Sequence, residues 1–583
     1  MENNSIISDD ITLADTMNDY FSNVTKKLNI IEWPTPIYVE NEDSVNRAIR
    51  RYANHPSILK IKSLHGNVKK FEFSNVLPET MRTKIHKLNK HKCSSGPIPT
   101  EIFKDYVDLC CTPITDCFNA AVNNCVFPES LKLADITPAF KKDDKTNKKN
   151  YRPISLLPPL SKTFERLICD QINEFMRDKL SPLLCGFRKG YSTQYALLRL
   201  LEQWRSKLDN KYIIGTILCD LSKAFDTLPH DLIIAKLEAY GFGHNSLTLI
   251  LDYLTNRKQR CKVGSKYSNW LEILIGVPQG SVLGPLLFNI FINDIFLFLI
   301  SSDICNFADD TSLSAYDRCI INVINKLESE LKIALNWFNN NSLVPNPDKF
   351  QIMFLGTKHK VNLCLEINGI RNLTTTSVKL LGITIDWKLN FNDHVKELCK
   401  KANSKSNAIA RLRNYLHMDQ KMLLFNSFIM SCFGYCPIVW MFCGKVSNEI
   451  INRTHRRALR AIYNDYNSDY ATLLLKGNHQ TIHERNLKLL LSEVYKCVNN
   501  KTPTFLWNIF NHKESSYKLR ISDRLILPKT STKLGLHSFT YRGSSCWNNI
   551  PDDIKTSENS SIFDDKFKNL HIANICNGKI CLK

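Results

Sequence analysis

Three aspartates, in two places, have the residue type and surroundings for metal chemistry. Residues 212–221 read YIIGTILCDL, a short apolar run with β-branched residues that ends on Asp220. Such a run predicts a buried strand that delivers a carboxylate at its end. Residues 304–313 read ICNFADDTSL, with two apolar flanks around Asp309 and Asp310. That is the pattern of a β-hairpin with acids at its turn. Adjacent carboxylates repel, and a bound divalent cation removes that cost. Three aspartates on two neighbouring strands can hold two Mg²⁺ ions, a pair suited to activating a hydroxyl and stabilising a departing pyrophosphate. Taken singly, each acid is weak evidence, because a pair of aspartates is more often a solvated turn.

A second pattern is basic. In the stretch INRTHRRALRAIY, Arg453, Arg456, Arg457 and Arg460 recur at helical spacing and share one face, while Ile451, Leu459 and Ile462 fall elsewhere and can face a core. The stretch contains no acid, whereas a merely solvated face mixes both signs, so contact with phosphates is expected. The whole chain points the same way. Its 77 Lys and Arg against 56 Asp and Glu leave a formal charge of +21, which favours a polyanionic partner.

Elements that must position these residues are legible in outline. The chain has 583 residues, 43% hydrophobic and 10% aromatic, enough for roughly three or four units with real cores. An amphipathic helix is expected near the start, with Leu13, Met17, Tyr20, Phe21 and Val24 on one face after a cap region at Ser8, Asp9 and Asp10. Residues 1–75 read as this helix and a linker, 76–395 as a mixed α/β body, 396–475 as mainly helical and basic, and 476–583 as a smaller C-terminal region. The most apolar run, residues 283–300, is broken by Asn289, Asn293 and Asp294 and reads as buried core rather than a membrane span. The 20 cysteines lack regular spacing and read as buried thiols, and His571, Cys576 and Cys581 as a chance grouping. The start, ENNSIISDD after Met1, is neither a signal nor a transit peptide, so an intracellular protein is expected.

The ordered set is more specific than its parts. Asp220-Leu-Ser-Lys-Ala-Phe-Asp226 is followed by Gly276-Val-Pro-Gln-Gly-Ser281 and then by Phe307-Ala-Asp-Asp310. These resemble motifs A, B and C of reverse transcriptases, of the kind encoded by non-LTR (LINE-type, jockey- and CR1-like) retrotransposons. Asn150-Tyr-Arg-Pro-Ile-Ser155, Gly186-Phe-Arg188, the set Trp337, Asn341, Leu343, Asn346 and Lys349, Leu380-Leu-Gly-Ile383, and Tyr435 to Trp440 are similar to further segments of the family.

The resemblance implies an α+β right-hand polymerase with fingers, a palm built on an antiparallel sheet and a helical thumb. It implies an RNA-directed DNA polymerase that extends a DNA primer on an RNA template with dNTPs, using two Mg²⁺ ions, with Mn²⁺ as a substitute. Asp220, Asp309 and Asp310 would be the metal ligands and Lys349 a general acid to pyrophosphate. Arg152, Arg188, Gln279 and Gly280 would meet the nucleotide, and Phe225 would exclude a ribose 2′-hydroxyl. Arg453, Arg456, Arg457 and Arg460 would hold the template–primer duplex. Location in the nucleus or cytoplasm as a ribonucleoprotein, with no membrane partner, follows from the same reading.

There are departures. The family's Ser-Ser-Gly-Pro-Asp-Gly-Ile-Pro-like loop reads Ser94-Ser95-Gly96-Pro97-Ile98-Pro99 here, two residues shorter, and Pro345, Pro347 and Phe350 stiffen the motif that carries Lys349. These motivate an alternative expectation, a decayed copy that binds nucleic acid without catalysis. No endonuclease is expected ahead of residue 76, and no RNase H-like acids or zinc knuckle after the thumb.

Overall fold

The structure is a computed structural model that describes residues 7–28, 33–34, 39–65, 69–88, 98–367, 369–512 and 524–568. The shortened loop at Ser94, Ser95, Gly96 and Pro97 lies outside them, as do His571, Cys576 and Cys581. Two compact units are present, each assembled from separate stretches of chain. Unit 1 is Met1–Phe187, Asp220–Ile300 and Leu331–Asn346; unit 2 is Arg188–Cys219, Ser301–Glu330 and Pro347–Lys583.

The fold mixes helix and sheet. Along the chain, helix α1 (Asp10–Ser22) precedes the antiparallel pair β1 (Leu133–Phe140) and β2 (Tyr151–Leu156). Helix α2 (Thr193–Asp209) leads into β3 (Ile213–Cys219), the short β4 (Leu221–Ser222) and α3 (His230–Ala239). Strands β5 (Arg257–Val263), β6 (Lys266–Tyr267) and β7 (Leu271–Ile273) then precede α4 (Leu283–Ile292). The hairpin β8 (Asp303–Phe307) and β9 (Asp310–Asp317) is followed by α5 (Ile320–Asn340), β10 (Val344–Pro345) and β11 (Gln351–Leu355). Helices α6 (Asn392–Arg411), α7 (Lys445–Tyr463) and α8 (Ile482–Val498) dominate the remainder. Every ladder between these strands is antiparallel except that β1 runs parallel to β5.

In unit 1 the sheet order is β2-β1-β5-β6, with β7 on β5. Helix α1 begins where expected: Asp9 is its cap, and its carboxylate accepts the Thr12 N–H at 2.8 Å. Met17, Tyr20, Phe21 and Val24 pack with Ala134, Ile136, Leu157 and Cys261, and Leu13 lies against that cluster. The helix is also pinned at its polar face, where Asn18 donates to the Asn269 carbonyl at 2.8 Å.

Unit 2 contains the sheet β11-β3-β9-β8. Strand β3 is buried on nearly its whole length, as its unbroken apolar sequence requires. Gly215 admits the α5 side chains: a Cβ there would overlap Leu327 and come within 2.9 Å of Val323. Helix α2 covers β8 and β9, with Arg199 donating to the Ile304 carbonyl at 2.9 Å and Trp204 to Ser314 Oγ at 3.2 Å. The 17 cysteines among the described residues are all unbridged thiols and most are buried.

The apolar run at 283–300 is core. Every residue of α4 except Pro285 is buried, and no helix among the described residues is long and apolar enough to cross a membrane. Its polar interruptions are satisfied. Asn289 donates to the Gly186 carbonyl at 2.7 Å. Asp294, fully buried, accepts from Lys236 Nζ of α3 at 2.6 Å and from Trp337 Nε1 of α5 at 2.8 Å, while Lys236 also donates to the Phe291 carbonyl at 2.6 Å. Removing one partner of such a pair strands a buried charge, at about 3–5 kcal/mol, whereas replacing both is far milder. Lys236→Met is therefore expected to lower unfolding free energy by about that amount, and Lys236→Met with Asp294→Leu by much less. Urea denaturation of the three proteins checks this; equal losses for single and double variants would refute it.

Candidate active site

The acidic residues are set by strand register. In unit 2, Phe307 pairs with Asp310, so Ala308 and Asp309 form a two-residue turn between β8 and β9. Ala308 takes a left-handed conformation (φ +57°), which costs a non-glycine residue energy that the surroundings must supply. Asn306, wholly buried, braces the turn by donating to the Ala308 carbonyl at 3.0 Å and to Thr311 Oγ1 at 2.9 Å. Next to Asp310, Thr311 is paired with Cys219, the last residue of β3. Asp220 is the residue that follows Cys219 in the chain. Its carbonyl accepts the Asn346 N–H at 2.9 Å in unit 1, where β4 and β10 form a two-residue ladder.

Carboxylate oxygens are hard donors that suit Mg²⁺ or Mn²⁺, so the donor chemistry fits such an ion. Among the described residues no group of three or more Asp, Glu, His or Cys side chains is gathered as a metal site would gather them.

Unit 1 carries the second half of the predicted set. Two stretches, 225–230 and 276–281, are zipped together by backbone bonds from Val277 to the Phe225 carbonyl and from Gly276 to the Leu228 carbonyl, both 2.9 Å. Buried His230 adds a third link, 2.8 Å from its Nε2 to the Gly276 carbonyl. Burial pushes this imidazole's pKa down, so the ring is neutral and Nε2 is the donor. Phe225 is half-buried, stacked on Phe288 at 4.5 Å and edge-on to Phe187 at 5.9 Å. Gln279 is fixed twice: its carbonyl accepts the Ser155 N–H at 2.7 Å, and its Nε2 donates to Asp226 Oδ1 at 2.8 Å. Gly280 (φ +123°) lies against the Ser155 carbonyl. Arg152, exposed on β2, is three residues from Ser155. Unit 1 thus sets Gln279 and Gly280 against Ser155 of the strand that carries Arg152, with Phe225 bonded to the same loop at Val277.

The other candidates lie in unit 2. Arg188 is half-buried, its guanidinium 4.4 Å from the Tyr191 ring. Lys349 is exposed, on the single turn Pro347–Lys349. Pro345 and Pro347 are accommodated in β10 and at the start of that turn, and Phe350 is buried. The turn at Leu381 is held by Tyr435, whose hydroxyl donates to the Leu381 carbonyl at 2.6 Å. On α7, Ile451, Leu459 and Ile462 are buried as expected. The four arginines differ: Arg453 and Arg457 are exposed, whereas Arg456 and Arg460 are half-buried and Arg460 donates to the Ser468 carbonyl at 3.1 Å. The face is also not free of acid, because Glu449, one turn earlier, lies 3.7 Å from Arg453.

One positioning residue gave no signal in the sequence. Glu165, fully buried, accepts the N–H groups of Val282 and Leu283, the latter at 3.1 Å, and so caps α4 immediately after the 276–281 stretch. Its pairing partners are more than a hundred positions away, beyond any local pattern.

Gly276 shows how tightly the two stretches fit. It has φ +87°, and a Cβ would come within 2.7–2.8 Å of the Asp226 backbone. Gly190 has a similar φ of +83° but open space around it. Gly276→Ala is expected to cost about 1–3 kcal/mol of stability from backbone strain plus the overlap, and Gly190→Ala clearly less. Comparable melting temperatures for the two variants would refute the close fit.

With this geometry established, similarity to known proteins becomes informative. Residues 140–385 match the family model for reverse transcriptase (RNA-dependent DNA polymerase). A probable RNA-directed DNA polymerase from transposon BS of Drosophila melanogaster is 29% identical over 360 residues, covering 59% of this chain and 40% of that protein. One from transposon X-element of the same fly is 28% identical over 420 residues, 69% of this chain and 44% of that protein. The RNA-directed DNA polymerase from its mobile element jockey is 27% identical over 359 residues, 59% and 39%. The chain therefore spans less than half the length of these curated relatives. The matched span contains Arg152, Arg188, Asp220, Phe225, Gln279, Gly280, Asp309, Asp310 and Lys349, and excludes α7. Residues 140–385 are a reverse transcriptase domain, similar to that of the RNA-directed DNA polymerases of these mobile elements.

Proposed function

We propose that this chain is an RNA-directed DNA polymerase of a non-LTR retrotransposon, extending a DNA primer on an RNA template with dNTPs. The observation that carries the reading is the register of β3 on β9, which sets Cys219 opposite Thr311 and so brings the backbone before Asp220 beside the Asp309–Asp310 turn. In this reading fingers and palm occupy 76–395, the thumb 396–475, and 476–583 is a smaller C-terminal region; the working form is a ribonucleoprotein of nucleus or cytoplasm.

Asp220, Asp309 and Asp310 would hold the divalent cations, Mg²⁺ or Mn²⁺. Bound there, the ions supply charge neutralisation for an attacking 3′-hydroxyl and a departing pyrophosphate. The chain's own groups do the rest, which in phosphoryl transfer is positioning and electrostatics. Arg152 and Arg188 have the planar fork that matches phosphate oxygens. Lys349, exposed on its turn, is suited to deliver a proton to the leaving group. Phe225, with its ring braced by Phe288 and Phe187, is a rigid wall suited to reject a 2′-hydroxyl.

The test is primer extension on a generic RNA template with dNTPs and Mg²⁺. Asp309→Asn is expected to reduce it at least about a hundredfold, the scale of losing one preorganised electrostatic group, with duplex binding retained. Extension within tenfold of the parent would sink the assignment.

Binding makes a separate expectation. Arg453 and Arg457 are the two exposed members of the α7 stripe. Replacing both by Gln is expected to lower the slope of log affinity against log salt by up to about 0.7–0.9 per lost phosphate contact. Titrations at several salt concentrations read it; an unchanged slope would leave the stripe as a solvated face.

A further inference from the structure

We propose that Asp226 is a positioning residue that holds the Gln279 side chain in one orientation for the incoming nucleotide; this rests on the reading of the chain as a polymerase. The two residues are 53 positions apart and lie in different motifs. Their contact is a single hydrogen bond of 2.8 Å, from Gln279 Nε2 to Asp226 Oδ1.

The surroundings make this bond directional. Asp226 cannot shift, because its backbone lies where a Cβ on Gly276 would be, and its neighbour Phe225 is bonded to Val277. Gln279 cannot shift either, because its carbonyl is held by the Ser155 N–H. What remains free is rotation of the Gln279 side chain about its own bonds. A carboxylate can only accept from an amide, so it selects Nε2 and leaves Oε1 turned away. A neutral partner that both donates and accepts would permit either orientation.

Two observations weigh against simple core packing. Asp226 Oδ2 is out of solvent with no hydrogen-bond partner, an arrangement that costs stability, and an apolar residue in its place would avoid that cost. Burial also pushes the Asp226 pKa up, although the Gln279 bond and nearby Lys223 oppose the shift. In addition, Asp226 and Gln279 both line a cavity of about 890 Å³ in unit 1, together with Pro153 and Ser155. The pair therefore faces space that a ligand can enter, next to Ser155 of the strand that carries Arg152.

A double-mutant cycle tests the proposal, with the full chain, an RNA template, a DNA primer and one dNTP. Asp226→Ala is expected to raise KM for the dNTP about tenfold or more, the scale of a misplaced contact. Template–primer affinity and melting temperature should change little. Gln279→Ala should do the same, and the double variant should be no worse than Gln279→Ala alone, because Asp226 acts only through Gln279. Asp226→Asn keeps an acceptor for Nε2 but also offers a donor to Oε1, so its KM should fall between those of the parent and Asp226→Ala, and it keeps the test decisive if the alanine variant folds poorly. Additive effects in the cycle, or a loss confined to kcat, would overturn the positioning role while leaving the polymerase reading intact. Absence of any incorporation by the parent chain would overturn the polymerase reading and this proposal with it.

Discussion

Antiparallel pairing of β3 with β9 is the constraint on which the acidic centre depends. It joins segments about ninety residues apart and sets Cys219 opposite Thr311. A slip of one residue would turn every side chain of β3 to the other face, burying charge where the strand is now apolar. Register is fixed from both sides, since β11 pairs with the opposite edge of β3 from Gln351 to Leu355. It is also fixed from above, because only Gly215 leaves room for Val323 and Leu327 of α5. The acidic turn then needs its own brace, and Asn306 provides it from the strand immediately before. The carboxylates are thus carried by backbone that packing has already determined, so that bringing like charges near each other does not have to drive folding.

The 276–281 loop of unit 1 follows a different logic. It has no ladder of its own, and its shape comes from backbone bonds to 225–228 together with buried polar caps. Glu165 satisfies the first N–H groups of α4, His230 satisfies the Gly276 carbonyl, and Ser155 satisfies Gln279. Each of these groups would be costly if left unpaired. The loop is therefore specified by several distant residues at once, and glycine at 276 removes the one side chain that would prevent the approach.

This difference explains what the sequence disclosed. Patterns of period 2 and 3.6 are local, so β3, the acidic hairpin, the α1 face and the buried side of α7 could be read from consecutive residues. The metal-binding residue types and the order of the motifs were equally visible. Pairings over long separations were not. Nothing near Glu165 marks it as a cap for Leu283, and nothing near Asp226 marks its bond to Gln279. The arginine stripe shows the same limit from another side: spacing put four arginines on one face, but it could not say that Arg460 turns back to the Ser468 carbonyl or that Glu449 stands beside Arg453. Nor could periodicity foresee that the units would be assembled from alternating stretches of chain.

The C-terminal region is anchored on helix α2. One side of α2 holds the acidic sheet, through Arg199 on the Ile304 carbonyl and Trp204 on Ser314. Two carboxylates elsewhere on the same helix receive the C-terminal region. Glu202 accepts the N–H groups of Phe539 and Thr540 at 2.6 and 3.0 Å, at the start of the helix Phe539–Trp547. Asp209 accepts those of Ser531 and Thr532 at 3.0 and 2.7 Å. Burial would raise the Asp209 pKa, but the bonds from Thr532 and Ser531 outweigh it and hold the group below the usual range. A carboxylate that accepts several N–H groups is worth more than a surface ion pair, because the donors are fixed by backbone rather than by long side chains. Residues 531–540 are therefore tied to the same helix that packs on the acidic hairpin.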